Sequence, residues 1–166
     1  MKISKVLISL IAAEIFCLFI NITLGGTSNP LMRTVCAVCT VGILCVLLAN
    51  TAIRGTQDAM KQERITGQPP RRGASAAAGL LSSVPALASW TVLLISKNSG
   101  KFDFYKWHKL INAPFLQVYN LIEPDASVRA LSAGEICLML PLTFIPAAVC
   151  LTVSLLTRKG LITAEK

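Results

Sequence analysis

Long stretches without a charged residue dominate the sequence and limit the folds open to it. Windows 35–53 and 76–95 contain no Asp, Glu, Lys or Arg, while windows 6–25 and 131–156 each contain one acid. A helix needs about 20 mostly apolar residues to cross the roughly 30 Å hydrocarbon core of a bilayer. A soluble helix of that length would present a charged face. The pattern therefore predicts an all-α integral membrane protein with four transmembrane helices.

Composition supports a lipid environment. Hydrophobic residues make up 54% of the chain and charged residues 14%, against roughly 45–50% and about 25% in soluble domains. The net charge is +8, and the cations flank the apolar windows, where anionic headgroups would lie. We therefore expect the lipid bilayer to be the main partner and expect no nucleic-acid binding.

The first window has an alternative interpretation as a cleaved signal peptide, because Lys2 and Lys5 precede an apolar run. Three features favour a retained span: Glu14 lies inside the window, the window is longer than a usual signal-peptide core, and no A-x-A-like cleavage site follows. Cleavage would leave three spans.

The distribution of cations predicts the orientation of the spans. With four spans, ten Lys and Arg residues fall on the side of the two termini and six on the other side. Cationic loops are retained in the cytoplasm, so both termini are predicted to be cytoplasmic. The chain is then one multi-pass domain (1–166) of the cytoplasmic membrane, with a cytoplasmic linker at 54–75 and an outer loop at 96–130.

The outer loop contains an amphipathic pattern. Apolar side chains recur at steps of three and four, and the polar side chains lie off their face; the apolar set is Phe104, Trp107, Ile111, Phe115, Val118 and Ile122, and the polar set is Lys106, Lys109, Asn112, Gln117 and Asn120. The spacing predicts an interfacial amphipathic helix between the third and fourth spans. Pro114 should bend or split it, and Tyr105, Trp107 and Tyr119 should lie at headgroup depth.

Small residues and prolines mark the third and fourth spans. A stripe of small side chains predicts a helix-packing face; its members are Ser75, Gly79, Ser82, Ala86 and Ser89. Pro85 should kink the third span, and Pro141 and Pro146 should free carbonyl groups in the fourth. Such interruptions occur both in transporters and in purely structural bundles.

Polar residues inside the spans are the candidate functional groups. Glu14 lies near the middle of its window, where an ionised side chain is costly unless it is paired or lines water. It shares a helical face with Asn21, and Glu135 lies at a depth close to that of Asn21. One hypothesis is a proton or cation relay through these three residues. The other is a neutral carboxyl that links helices by hydrogen bonds, and in both cases Glu14 is expected to be neutral at rest.

All six cysteines lie within the predicted spans, and two of them, Cys36 and Cys39, form a C-x-x-C pair. A C-x-x-C at the outer end of the second of four spans resembles the membrane thiol:quinone oxidoreductases. The resemblance implies that this pair would exchange electrons with a quinone. Two features of that family are missing, namely cysteines in the outer loop and the arginine after the pair, since Thr40 to Ile43 stand there.

The function predicted from these observations is that of a non-enzymatic membrane subunit. It is either a small transport or permeation component or a partner-binding scaffold, with other membrane subunits or further copies of the chain as partners. The alternative is the thiol:quinone oxidoreductase using Cys36 and Cys39. No metal-ligand cluster, phosphate-binding loop or nucleophile motif is visible, so we expect no metal and no cofactor.

Overall fold

A computed structural model describes residues 3–24, 29–67 and 74–162, and the regular elements in these ranges are helical. A 3-10 turn, Ala113–Phe115, separates the fifth helix from the sixth. The α-helices are α1 (Ile3–Leu24), α2 (Pro30–Thr66), α3 (Ala74–Ser82), α4 (Val84–Ser99), α5 (Tyr105–Ile111), α6 (Leu116–Ile122), α7 (Ala133–Thr143) and α8 (Ile145–Arg158).

Three helices of the described chain are long and apolar enough to cross a membrane: α1, α2, and the stretch Ala133–Arg158 that α7 and α8 form together. They indicate a membrane protein with several spans and confirm three of the four predicted windows. The remaining window, 76–95, is divided between α3 and α4, and neither of these helices alone has the length of a span. The fourth crossing therefore stays a prediction.

The predicted proline interruptions are present in both broken segments. The third segment is interrupted at Ser83, two residues before Pro85, and the last one at Phe144, two residues before Pro146. Helix α7 continues across Pro141. A proline lacks the amide hydrogen and crowds the preceding turn, so both breaks lie where the sequence requires them.

The two broken segments pack against each other along their whole length. Helix α3 packs on α8, and α4 packs on α7. A Cβ built on Gly79 would lie 3.3 Å from Leu151 Cγ, so the backbone of α3 approaches α8 closely. In the other half, Trp90 Nε1 donates a hydrogen bond to the Ile136 carbonyl at 2.9 Å. Small residues permit such close contact between helices in lipid, where packing drives association.

Helix α2 is longer than the predicted span. Asn29 caps its first turn and Pro30 occupies the first helical position, while Gly67 ends it in the left-handed conformation with φ of 64°. The predicted linker 54–75 is therefore helical up to residue 66, and residues 68–73 lie outside the described chain. Thirty-seven residues span about 55 Å at 1.5 Å per residue, so α2 extends beyond the hydrocarbon. Lys5 Nζ lies 3.4 Å from Asp58 Oδ2 on this extension.

The predicted interfacial helix is the largest correction. The segment is split at Pro114, as expected, but α5 and α6 form a hairpin whose tip packs between α1 and α2. Its polar face is turned inward: Lys109, Asn112 and Gln117 are buried, whereas Trp107 is 57% exposed. The physical reason is that the amide side chains find hydrogen-bond partners inside the bundle. Tyr105 and Tyr119 are likewise buried in protein.

Candidate intramembrane site

Side chains from α1 and α2 hold the tip of the α5–α6 hairpin. Glu14 Oε2 accepts a hydrogen bond from the Ala113 amide at 2.9 Å. Asn21 Nδ2 donates to the Ala113 carbonyl at 3.0 Å, and Thr40 Oγ1 donates to the Pro114 carbonyl at 2.9 Å. The irregular backbone of the tip is thus satisfied by side chains, which is the condition for such backbone at membrane depth.

The tip lies deep in the bundle. Glu14 is ten residues before the end of α1 at Leu24, and Thr40 is ten residues after the start of α2 at Pro30. At 1.5 Å per residue both side chains lie about 15 Å inside the helix ends. The tip of the hairpin is therefore enclosed by α1 and α2, well away from the ends of both helices.

Asn21 connects the tip to the returning arm of the hairpin. Its Oδ1 accepts a hydrogen bond from Gln117 Nε2 at 2.9 Å, and the Cys36 thiol lies 3.6 Å from the same oxygen. Cys17 donates to the Thr40 carbonyl at 3.4 Å. These buried groups link α1, α2 and α6 in one polar network. A network of this kind fixes the position of the elements that share it, because unpaired polar groups are costly in an apolar interior.

A second polar cluster joins the hairpin to α4. Ser89 Oγ lies 2.8 Å from His108 Nδ1, and Asn112 Nδ2 donates to Ser89 Oγ at 3.1 Å. Either the Ser89 hydroxyl or His108 Nδ1 donates in this contact, depending on whether the imidazole proton lies on Nε2 or on Nδ1. That Nε2 is buried without a hydrogen-bond partner.

The mouth of the hairpin is held by Lys109. Its buried ammonium donates to the carbonyl groups of Glu123 and Asp125 at 2.8 Å and 3.0 Å and lies 4.3 Å from the centre of the Tyr105 ring. Burial lowers the pKa of Lys109 to about 8, against the opposing effect of the nearby acids. The lysine therefore joins the last turn of α5 to the segment after α6.

A cavity of about 340 Å³ lies beside the tip, where both helix breaks meet α1. Glu14, Ser82 and Asn112 are its polar lining residues; the apolar lining is Leu7, Leu10, Ile11, Leu44, Pro85, Ala86, Ile111, Pro114, Phe115 and Pro146. A concave, mostly apolar site with a few convergent polar groups is the usual form of a small-molecule site.

The predicted polar residues are distributed over two places. Glu14 and Asn21 both bind the hairpin backbone. Glu135 instead forms a capping box with Ser132 at the start of α7, where Glu135 Oε2 accepts from the Ser132 amide at 2.6 Å. It forms no hydrogen bond to the other two within the described residues.

The residues of the predicted packing face contact three different parts of the structure. Gly79 contacts α8, Ser82 and Ala86 line the cavity, and Ser89 binds the hairpin. The side chain of Ser75 lies outside the described part of the structure.

The two cysteines of the C-x-x-C pair lie in different surroundings. Cys36 is buried and faces Asn21, whereas Cys39 is exposed and lines an apolar groove of about 660 Å³ between α1 and α2. Both are free thiols in the structure. Nothing in the arrangement tests the redox alternative, which stays a prediction. Within the described ranges, no cluster of His, Cys, Asp and Glu could hold a metal ion.

Sequence reasoning missed much of the hairpin site. Thr40, Ser89, His108 and Asn112 all contribute side chains to it. His108 and Asn112 could have been predicted from the polar face of the amphipathic segment, because a hairpin enclosed by protein would bury that face.

Comparison of the chain with protein-family models, with curated proteins and with solved structures gives no match. The class of the molecule therefore follows from its helices alone: it is a helical protein whose described part includes three candidate membrane spans.

Proposed function

We propose that the chain is a small transport component of the cytoplasmic membrane that moves a proton through the cavity at Glu14. Helices α3 and α4 together supply the fourth crossing, because no charged residue occurs between positions 74 and 96. Both termini lie in the cytoplasm, in agreement with the excess of cations on that side. The chain works by itself, as a homo-oligomer or with other membrane subunits.

The observation that carries this proposal is the contact between the Glu14 carboxyl and the Ala113 amide beside the cavity. A carboxylate accepts a hydrogen bond from an amide more strongly than a neutral carboxyl does. Protonation of Glu14 therefore weakens its hold on the hairpin tip, and a change in the tip alters the affinity of Glu14 for a proton. This reciprocity is what couples proton movement to a conformational change.

The relay that we propose excludes Glu135, because this residue caps α7 and binds Ser132. Asn21 contributes by holding the Ala113 carbonyl. A partner-binding scaffold is the alternative within the same class, and it gives no role to a carboxyl in a cavity.

The experiment compares wild type with Glu14→Gln in vesicles that contain a pH-sensitive dye and carry a potassium diffusion potential. Wild type should give a protein-dependent proton flux, and Glu14→Gln should remove it, since glutamine keeps an acceptor for Ala113 but cannot exchange a proton. Glu135→Gln is the matched control and should keep the flux. Equal flux in wild type and Glu14→Gln, or no flux in wild type, would overturn the proposal.

A chemical test does not depend on flux. Dicyclohexylcarbodiimide reacts with neutral carboxyl groups in apolar surroundings, and mass spectrometry identifies the modified peptide. We expect modification at Glu14 and none at Glu135. The reverse pattern would contradict the assignment of the proton site.

A further inference from the structure

We propose that the cavity at Glu14 binds primary amines that carry an apolar body, and that these ligands enter it from the bilayer. This inference rests on the proposed function in one respect: the same carboxyl that exchanges the proton binds the amine. It adds the chemical class of the solute and the direction from which the solute arrives.

The mouth of the cavity faces lipid. Leu7, Ile11 and Ile111 line it, and 41%, 60% and 48% of their respective surfaces are exposed. Ile11 lies near the middle of α1, and Ile111 ends the inward arm of the hairpin, so hydrocarbon surrounds the opening. A ligand that enters between α1 and α5 must therefore partition into the bilayer, which requires an apolar body.

The polar groups inside the cavity offer hydrogen-bond acceptors. Glu14 uses Oε2 for Ala113, which leaves Oε1. Asn112 uses its amide nitrogen for Ser89 and for the His108 carbonyl, and its Oδ1 has no partner among the described residues. The Ser82 hydroxyl donates to the Gly79 carbonyl, so its oxygen is left to accept.

A primary ammonium matches this set of groups. It has three N–H donors and a positive charge, and no Lys, Arg or His lines the cavity to compete for the carboxylate. An alcohol of the same size supplies one donor and no charge, and a quaternary ammonium supplies charge without a donor. The cavity volume of about 340 Å³ falls at the lower end of the range for small-molecule sites, roughly 300–1,000 Å³, so the body is one or two rings.

Binding of the ammonium displaces the proton of Glu14. The neutral carboxyl releases one proton as the ammonium arrives, and the resulting pair of carboxylate and ammonium leaves the net charge of the site at zero, as before. One carboxyl holds either the proton or the amine, which is the exchange that a proton-coupled carrier requires.

The experiment uses the full chain in lipid nanodiscs and three probes that share one naphthylmethyl body: 1-naphthylmethylamine, its N,N,N-trimethyl derivative and 1-naphthylmethanol. Binding is followed by equilibrium dialysis against empty nanodiscs, which measure simple partitioning. The primary amine should bind saturably and release a proton, which a pH indicator detects in weak buffer. The other two probes should bind at least about tenfold more weakly, a difference of roughly 1.4 kcal/mol.

Two variants test the assignment to this cavity. Glu14→Gln should lower amine affinity at least about tenfold and abolish proton release, whereas Glu135→Gln should leave both unchanged. Ile111→Trp fills the mouth without altering a polar group and should slow amine association; a circular dichroism spectrum and elution volume equal to wild type establish its fold. Equal binding of the three probes, or amine binding unaffected in Glu14→Gln, would overturn the inference.

The failure of this inference differs from the failure of the proposed function. Glu14-dependent proton flux without selective amine binding rejects the amine and keeps the transport proposal. Amine binding without any flux rejects transport and leaves a binding site.

Discussion

The Ser83 hydroxyl oxygen accepts a hydrogen bond from the Ala147 amide at 3.2 Å, so the break in one segment caps the start of α8 in the other. The first amides of a helix have no partner within the helix. In most proteins a residue next to the helix in sequence fills this role. Here the capping residue lies 64 positions away. Its hydrogen bond connects the break at Ser83 to the break before α8, so the two breaks lie at the same height in the bundle.

Replacing this cap should destabilise the bundle. Ser83→Ala leaves the Ala147 amide unpaired in a buried place, and we expect a loss of about 1–2 kcal/mol. Unfolding by sodium dodecyl sulfate in mixed micelles measures it. Ser99→Ala removes an exposed hydroxyl that binds only its own helix and should change stability little. Equal stability of both variants would show that the cap is unimportant.

Two helical glycines should respond differently to enlargement. Gly79→Leu places side-chain atoms where Leu151 and Cys150 already lie within 3.4 Å, so α3 and α8 must separate, and overpacking costs typically 1–3 kcal/mol. The control is Gly42→Leu. A Cβ added at Gly42 would have no atom within 4 Å, and this position lines the same groove as Cys39. We expect a lower melting temperature in detergent for the first variant and an unchanged or higher one for the second. The opposite order would contradict the packing of α3 on α8.

The hairpin should lose protection when Asn21 is replaced. Asn21→Leu removes the bonds to Ala113 and Gln117, leaving polar groups unpaired at about 1–3 kcal/mol each. Hydrogen–deuterium exchange in residues 105–122 should become faster, while α8 keeps its protection. Asn50→Leu, on the exposed side of α2, is the control and should not alter exchange in the hairpin. Slow exchange in both variants would mean that other contacts hold the tip.

The loop before the hairpin should respond to acid through Asp103. Burial opposes ionisation of this carboxylate, but hydrogen bonds from the Ser127 side chain and from the Val128 and Tyr105 amides, with the charge of Arg129, hold its pKa below the usual Asp value. The folded pKa lies below the unfolded one, so the stabilisation is complete above the unfolded value and is lost as pH falls through the folded one.

The pH test compares Asp103→Asn with wild type. Their stability difference should be constant from pH 6 to 8 and shrink as pH falls below about 4, the usual Asp value. Melting temperatures measured across this range give the difference directly. A gap that stays constant down to the lowest pH would contradict the role of the ionised carboxylate.

The two thiols of the C-x-x-C pair should react at different rates. Cys39 is exposed toward the groove, whereas Cys36 is 2% exposed, so a membrane-permeant maleimide should label Cys39 first.

Labelling of these two thiols with and without reductant also tests the redox alternative. Both thiols remaining free under oxidising conditions would remove that alternative, and a Cys36–Cys39 disulfide would support it.

The features of the fold that follow from local chemistry could be predicted from the sequence. Absence of charge predicted the long apolar helices, and Pro85 and Pro146 predicted the two breaks, because both effects act within a few residues. The cap between Ser83 and Ala147 could not be predicted, since it depends on the relative height of two segments that are far apart in the chain.

The hairpin shows what periodicity leaves undecided. Spacing correctly separated Trp107 and Ile111 from Asn112 and Gln117, but it does not say which medium each face meets. An apolar face turned to lipid occurs in a helix on the membrane surface and in a hairpin within the bundle. The partners that distinguish the two cases, Asn21 and Ser89, lie in other helices. Of the residues in the candidate site, the sequence therefore predicted Glu14 and Asn21 as functional groups but not the partners that complete the site.

The inward polar face of the hairpin dictates an order of assembly. Residues 105–122 cannot leave the translocon sideways as an independent helix, because Lys109, Asn112 and Gln117 would enter hydrocarbon without partners. Asn21, Thr40 and Ser89, which bind the hairpin, all precede it in the chain. The hairpin therefore requires the earlier helices that bind it to be in place first, and the segment Ala133–Arg158 follows it in the chain.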